Sequence, residues 1–182
     1  MERSLVERTV TGDRAAFDDL VRSRIDGVYR TSLAILGNPT DAADATQETF
    51  LAAWRNWSSL RDPDRFDAWL GRINLNACRE QLRRRRRSQI REIQLVDRDG
   101  EPATELPHPD GSPADRAADA DAFDRAFARL SVDDRAILVL HHLRERPVAE
   151  IAATLGVPVG TVKARLHRAR AALETSLAKE SR

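Results

Sequence analysis

Cysteine is nearly missing from this sequence: Cys78 is the only one among 182 residues. No intrachain disulfide can form, and no cysteine-based metal cluster can be built, which fits a reducing compartment. Aromatic residues make up only 5% of the chain, and no apolar run approaches the roughly 20 residues that span a bilayer. The N-terminal MERSLVERTV lacks the apolar core of a signal peptide. A cytoplasmic protein without membrane insertion is therefore expected. Also absent are a glycine-rich phosphate loop, a metal-ligand cluster, and a nucleophile with a base and an orienting partner. These absences point away from an enzyme and towards a binding protein, with no catalytic residue, no metal and no cofactor.

The net charge is small too, at +1, but it averages opposite blocks. Arg83 to Arg87 is an unbroken basic run, whereas Asp97 to Asp124 is rich in Asp and Glu set against Arg98 and Arg116, with Arg125 just after it. Such asymmetry suits a chain that meets a polyanion with one part and avoids or imitates it with another. Hydrophobic residues, at 41%, suffice for a core, although two small cores bury less than one large one.

The pattern along the chain is helical throughout, with no strand signal and no internal repeat. From Asp13 to Leu36, Phe17, Leu20, Val21, Ile25, Val28 and Ile35 keep helical spacing, and Gly37, Asn38 and Pro39 end the run. Thr40 can cap a second helix, on which Phe50, Trp54 and Trp57 recur on one side and should form core. Ser58 to Pro63 breaks the pattern before a third helix starts near Asp64. Gln89 to Pro113 has no period and carries Gly100, Pro102, Pro107, Pro109, Gly111 and Pro113, so it reads as an acidic extended linker. Beyond it a helix from about Asp115 to Leu130 has Phe123, Ala126, Phe127 and Leu130 on one side, and Ser131 with Asp134 forms a capping box. Val148 to Leu155, a turn at Gly156 to Pro158, and a helix from Gly160 to about Leu177 then give helix-turn-helix spacing. The expected fold class is all-α: two small helical domains joined by the acidic linker.

Two helices carry the chemistry. In FDAWLGRINLNACREQLRRRRR, residues 66–87, Phe66, Leu70, Ile73 and Ala77 share one face, and Arg72, Asn76, Arg79 and Arg83 line the opposite one. Arginines can fix phosphates and an amide can read base edges. An amphipathic helix with a solvated basic side is the alternative. On the last helix Val162, Leu166, Ala169 and Leu173 should dock on Ile151 and Leu155, leaving Lys163, Ala164, His167 and Arg168 outward with Thr161, Arg165 and Arg170 flanking. Lys163 and Arg168 can donate to guanine in a major groove, and the small Ala164 permits close approach. An ordinary helical corner would share that spacing. Asp44, Gln47 and Glu48 give the second helix an acidic strip that suits a basic protein, or simply a solvated N-terminal face. His141 and His142 are adjacent and project about 100 degrees apart on a helix, so they make no metal pair. Cys78 reads as a small core residue.

As a whole the chain resembles the extracytoplasmic function (ECF) group of bacterial RNA polymerase sigma factors. The likeness covers Asp13 to Leu173 and rests on DATQETFLAAW at 44–54, AWLGRINLNACRE at 68–80, and EIAATLGVPVGTVKARLHRARAAL at 150–173, in that order and separation. It implies a sigma region 2 domain over 10–88, a linker over 89–114 and a sigma region 4 helix-turn-helix domain over 115–178. The first would bind polymerase and recognise and melt the minus-ten element; the second would bind the minus-thirty-five element as duplex. The implied partners are core RNA polymerase, through its beta-prime coiled coil and beta flap, promoter DNA, and an anti-sigma factor. By position, Asp44, Gln47 and Glu48 correspond to the polymerase-contacting strip. Asn76 stands where a flipped base is captured, with Phe66 and the Leu60 to Arg65 loop forming the pocket and Arg72, Arg79 and Arg83 beside it. Trp69 is either a melting wedge or a core residue. Lys163, Ala164, His167 and Arg168 match base-facing positions; Thr161 and Arg165 match backbone-facing ones. The resemblance also implies a linker that imitates nucleic acid in the polymerase cleft, a plain solvated linker being the alternative. It implies a role in stress-responsive transcription, an active form on the nucleoid, and no further C-terminal domain. Ala43 departs from the family, where an acidic residue is common, and Arg146 and Pro147 replace a glycine-containing turn. A stand-alone helix-turn-helix regulator and an RNA-binding adaptor using Arg83 to Arg87 are the competing functions.

Overall fold

The computed structural model describes residues 2–96 and 114–180, and among them every regular element is helical. Most of the expected acidic linker, 97–113, lies outside the described residues. The N-terminal half holds helices α1 (Glu2–Val10), α2 (Arg14–Leu36), α3 (Pro39–Arg55) and α4 (Phe66–Val96), with short 3-10 turns at Trp57–Ser59 and Pro63–Arg65. The C-terminal half holds α5 (Ala114–Ala128), α6 (Val132–Leu138), α7 (Val148–Leu155) and α8 (Val159–Glu180). Between α6 and α7 the chain widens into a π-turn at Val139–Leu143.

Side-chain chemistry sets the helix ends. The Asp13 carboxylate accepts from the Ala16 N–H and caps α2, and that bond, helped by Arg8, holds its pKa below the usual value. Asn38, not Thr40, caps α3: its side chain accepts from the Asp41 N–H, while Pro39 sits at the first helical position, where its missing N–H costs nothing. Ser131 caps α6 by accepting from Asp134 N–H at 3.1 Å, and its hydroxyl donates to the Asp134 carboxylate at 2.6 Å. Gly156 ends α7 with φ +67°, a left-handed turn that any side chain would strain.

Two apolar clusters lie one in each half. Val6, Leu20, Val28, Ala53, Trp57, Leu60, Phe66 and Leu70 form the first, and Leu130, Ile137, Leu138, Ile151, Ala152, Val162, Leu166 and Ala169 the second. Each fully buried Leu, Ile, Val or Phe contributes roughly 1.5–3 kcal/mol by leaving water. A third cluster is shared between the halves: Ile35, Leu36, Ala45, Leu75 and Cys78 meet Ala136 and Val139. The halves therefore pack on each other, meeting on α4 and the C-terminal end of α2. Asn74 pins the N-terminal half from within, its Oδ1 accepting from the Ser32 hydroxyl at 2.7 Å and lying 3.2 Å from that of Thr49. This one amide ties α2, α3 and α4 together.

Several sequence expectations need correction. Helix α1 has no counterpart among the expected elements; it buries Val6 against the first cluster. Trp54, expected as core, is 41% exposed, and so are two residues that share apolar faces of their helices, Ile25 at 41% and Phe123 at 44%. Helix α4 continues past Arg87 to Val96, and α8 runs from Val159 to Glu180. No helix among the described residues is long and apolar enough to cross a membrane.

Candidate nucleic-acid interface

On α8 the buried stripe and the exposed one separate as helical spacing requires. Val162, Leu166 and Ala169 are buried against Ile151 of α7, and Lys163, Ala164, His167 and Arg168 face solvent, with Thr161 and Arg165 half-buried at the edges. Gly156 to Pro158 forms the turn, so the outward row sits on the second helix of the pair, the one that enters a major groove in this motif. Arg170 leaves the row to donate to His142 Nε2 at 3.2 Å; burial and that guanidinium push the His142 pKa down. His141 and His142 stack edge to face at 4.7 Å.

On α4 the expected polar stripe is in place, but much of it is engaged. Asn76 is exposed, and its Oδ1 accepts from Arg79 Nη1 at 2.8 Å. Asn74 and Asn76, two residues apart, point about 200 degrees from each other, which is why one is a core pin and the other faces out. Arg79 Nε in turn donates to Asp133 Oδ1 at 2.9 Å. Arg72 donates to the carbonyls of Thr154 and Ala153 at 3.3 and 2.9 Å. Arg83 is exposed and shares Glu80 with Arg84 and Arg87, which lie 3.6, 3.6 and 2.7 Å from that carboxylate.

Phe66 departs from the expected pocket. It is only 5% exposed, with Trp57 at 5.8 Å and Trp69 at 6.2 Å between ring centroids, so its ring belongs to the core rather than to an open wall. Leu60 of the same loop is buried as well. Trp69 is half-buried on that cluster, and its Nε1 donates to Ser59 Oγ at 3.0 Å. The exposed groups of the loop are Arg61, Asp62, Asp64 and Arg65.

Asp44 and Gln47 are exposed on α3, and Glu48 lines a recess of about 250 Å³ with Asn56, Asn76 and Arg84. Beside this strip runs an apolar groove of about 650 Å³, lined by Phe17, Val21, Ile25, Leu51 and Trp54 and edged by Asp18, Asp26 and Gln47. Apolar spacing reveals these side chains but gives no sign that they lie open. An exposed apolar patch with an acidic rim is a surface for a partner. Sequence reasoning also passes over Asp133 and Arg135, which touch α4 and α2 from the other half. Gly71 is the available signal, since a glycine inside a helix pattern often marks close approach.

Comparison with known proteins agrees with this layout. Residues 20–88 match the family described as Sigma-70 region 2, and residues 120–173 match Sigma-70, region 4. The ECF RNA polymerase sigma factor SigE of Mycolicibacterium smegmatis is 41% identical over 174 residues, which is 94% of this chain and 66% of that protein. The chain thus spans just under two thirds of that relative's length. The RNA polymerase sigma-E factor of Streptomyces antibioticus is 34% identical over 166 residues, 91% of this chain and 87% of the relative. Among solved structures, CnrH in complex with the cytosolic domain of CnrY superposes with TM-score 0.66 at 28% identity, covering 98% of this chain and 97% of that one. The sigma factor RpoE in complex with the anti-sigma factor NepR from Bartonella quintana gives 0.59 at 26%, covering 89% and 96%.

Proposed function

The chain belongs to the ECF group of RNA polymerase sigma factors, and from that premise we propose how its parts divide the work. It binds core RNA polymerase and directs promoter-specific initiation; it is a specificity subunit, with catalysis left to the polymerase. Residues 10–88 serve as the domain that binds polymerase and melts the minus-ten element, 115–178 as the domain that reads the minus-thirty-five duplex, and 89–114 as their connector. The observation that carries this reading is the outward row Lys163, Ala164, His167 and Arg168 on a helix whose other side is core.

Asp44, Gln47 and Glu48 make the polymerase contact in this reading. Support comes from the apolar groove beside them, since an amphipathic helix of basic character, such as one arm of the beta-prime coiled coil, fits acidic rim and apolar floor together. The beta flap would meet the C-terminal half. Asn76 supplies an amide for a flipped base, and Arg72, Arg79 and Arg83 supply phosphate contacts, once freed from their present partners. Burial of Phe66 means that the Leu60 to Arg65 loop must shift before that ring can stack on a base. The chain works in the cytoplasm, on the nucleoid when active, and an anti-sigma factor holds it in reserve. Run-off transcription with core polymerase on a pool of genomic fragments tests the assignment: discrete transcripts dependent on the chain are expected. Tight operator binding without polymerase, and no initiation with it, would favour a stand-alone regulator.

A further inference from the structure

The Asn76 amide, exposed as it is, does not turn freely. Its Oδ1 accepts from Arg79 Nη1 at 2.8 Å, one turn further along α4. A guanidinium has five N–H donors and no acceptor, so the amide oxygen, never the Nδ2 group, must turn to it. That settles which way round the amide sits. A second feature favours the same sense: Glu48 and Glu80, whose carboxylates bring acceptors only, line the recess that Asn76 borders. Nδ2 has no hydrogen-bond partner among the described residues, and Oδ1 keeps a second lone pair, so the side chain offers a donor and an acceptor in a fixed order. Bases differ in that order. Adenine and cytosine set an amino donor beside a ring acceptor, whereas guanine and thymine set a carbonyl acceptor beside a ring N–H. An amide free to turn over about its last torsion swaps donor for acceptor and meets either class. One held in place meets one class.

We propose that Arg79 is a positioning residue for base capture: by fixing the Asn76 amide it makes the site discriminate amino bases from keto bases. The inference rests on the sigma-factor reading, and on Asn76 as the group that meets the flipped base. The device needs nothing outside α4, since donor and acceptor lie three residues apart on one helix, a spacing at which side chains meet. Arg79 is the better anchored of the neighbouring cations: its side chain is 29% exposed, against 70% for Arg83. Holding the amide also leaves it capacity for DNA. Nη1 goes to Asn76 and Nε to Asp133 Oδ1 at 2.9 Å, while Nη2 makes no hydrogen bond among the described residues. Nη2 can therefore take a phosphate while Nη1 keeps the amide in place.

Base substitution in a promoter tests this. A promoter used by the chain with core polymerase is remade with each of the four bases at every minus-ten position of the non-template strand. Run-off yields with wild type should separate amino from keto bases at one position, by roughly five- to a hundredfold. Arg79→Leu should bring that ratio close to parity, because nothing then fixes the amide. Arg79→Glu, whose side chain only accepts, should draw in Nδ2 and reverse the preferred class; Arg79→Lys, which only donates, should keep it. Arg83→Leu removes a cation from the same helix and should lower all four yields alike, with the ratio unchanged. Should Arg79→Glu block promoter binding outright, the ratios of the Leu and Lys variants decide. A ratio that survives Arg79→Leu, or one that falls equally with Arg83→Leu, overturns the inference, as does a wild type with no amino or keto preference at any minus-ten position. A wild type that never initiates with core polymerase overturns the sigma-factor reading, and this inference with it.

Discussion

Arg135 of α6 donates from Nη1 to the carbonyl oxygen of Ile35 in α2, at 2.8 Å and out of reach of water. Ile35 lies in the last turn of α2, where the Gly37 N–H has gone to Leu33. Arg72 performs the same service in the opposite direction for the end of α7. Each half therefore closes the carbonyl end of a helix in the other, with a cation where the helix dipole favours one. Burial, and then Arg86 and Arg85, lower the Arg135 pKa, yet a guanidinium stays charged.

Removing that donor should destabilise the chain. Arg135→Met keeps most of the aliphatic stem and leaves a buried carbonyl unsatisfied, which costs roughly 1–3 kcal/mol. Arg135 Nε is itself buried without a partner, which offsets part of the loss. Calorimetry should show a fall in Tm on the order of 5 °C, with Arg135→Lys recovering some of it.

The Cys78 thiol gives a pH signature. Burial raises its pKa from 9.0 to about 11, against smaller opposing effects from Ser32 and Arg135. Between those values the unfolded chain has given up a proton that the folded chain keeps, so stability is full below pH 9 and declines as pH rises towards 11. The full shift corresponds to roughly 3 kcal/mol. Urea unfolding across that window should show a steeper loss in wild type than in Cys78→Ala. Alkylation of the native thiol should also be slower than in urea by about a hundredfold.

Asn76→Ala should abolish open-complex formation while leaving affinity for core polymerase intact, because Asn76 is exposed and outside the apolar clusters. Permanganate footprinting of melted promoter DNA and a pull-down with core enzyme separate the two effects. Normal melting by this variant would remove Asn76 from the base-capture role.

Substituting Lys163 or Arg168 should alter preference for the upstream element, each base contact being worth about 1–3 kcal/mol. Neither touches the second apolar cluster, so thermal stability should hold. Competition between upstream sequences in run-off assays measures the effect, and unchanged preference would count against base reading by these residues.

Most of the fold is legible in local chemistry. Asp13 and Gly37 mark both ends of α2, and the Ser131 capping box and Gly156 bracket the C-terminal helices. Competing local signals mislead: Pro39 at the first turn places the cap on Asn38, where Thr40 is an equally good capping residue by type. Helix α1 escapes because its nine residues make only about two and a half turns, and its docking depends on distant Leu20 and Trp57. Spacing finds an apolar face without saying what covers it, which is why Trp54 reads as interior and why the exposure of Ile25 and Phe123 is not legible. For the same reason the basic stripe of α4 is readable as polar, while its engagement by Asp133 and the end of α7 is not. Those contacts join residues 54 and 82 positions apart, beyond any local pattern.

At Gly71 the two halves come within a methyl group's width of collision. Alanine there would force Thr154 to give way by a few tenths of an ångström, and a branched residue by more. The readiness of the chain to part can thus be graded by one carbon at a time at a single codon, without altering any side chain that reads a promoter.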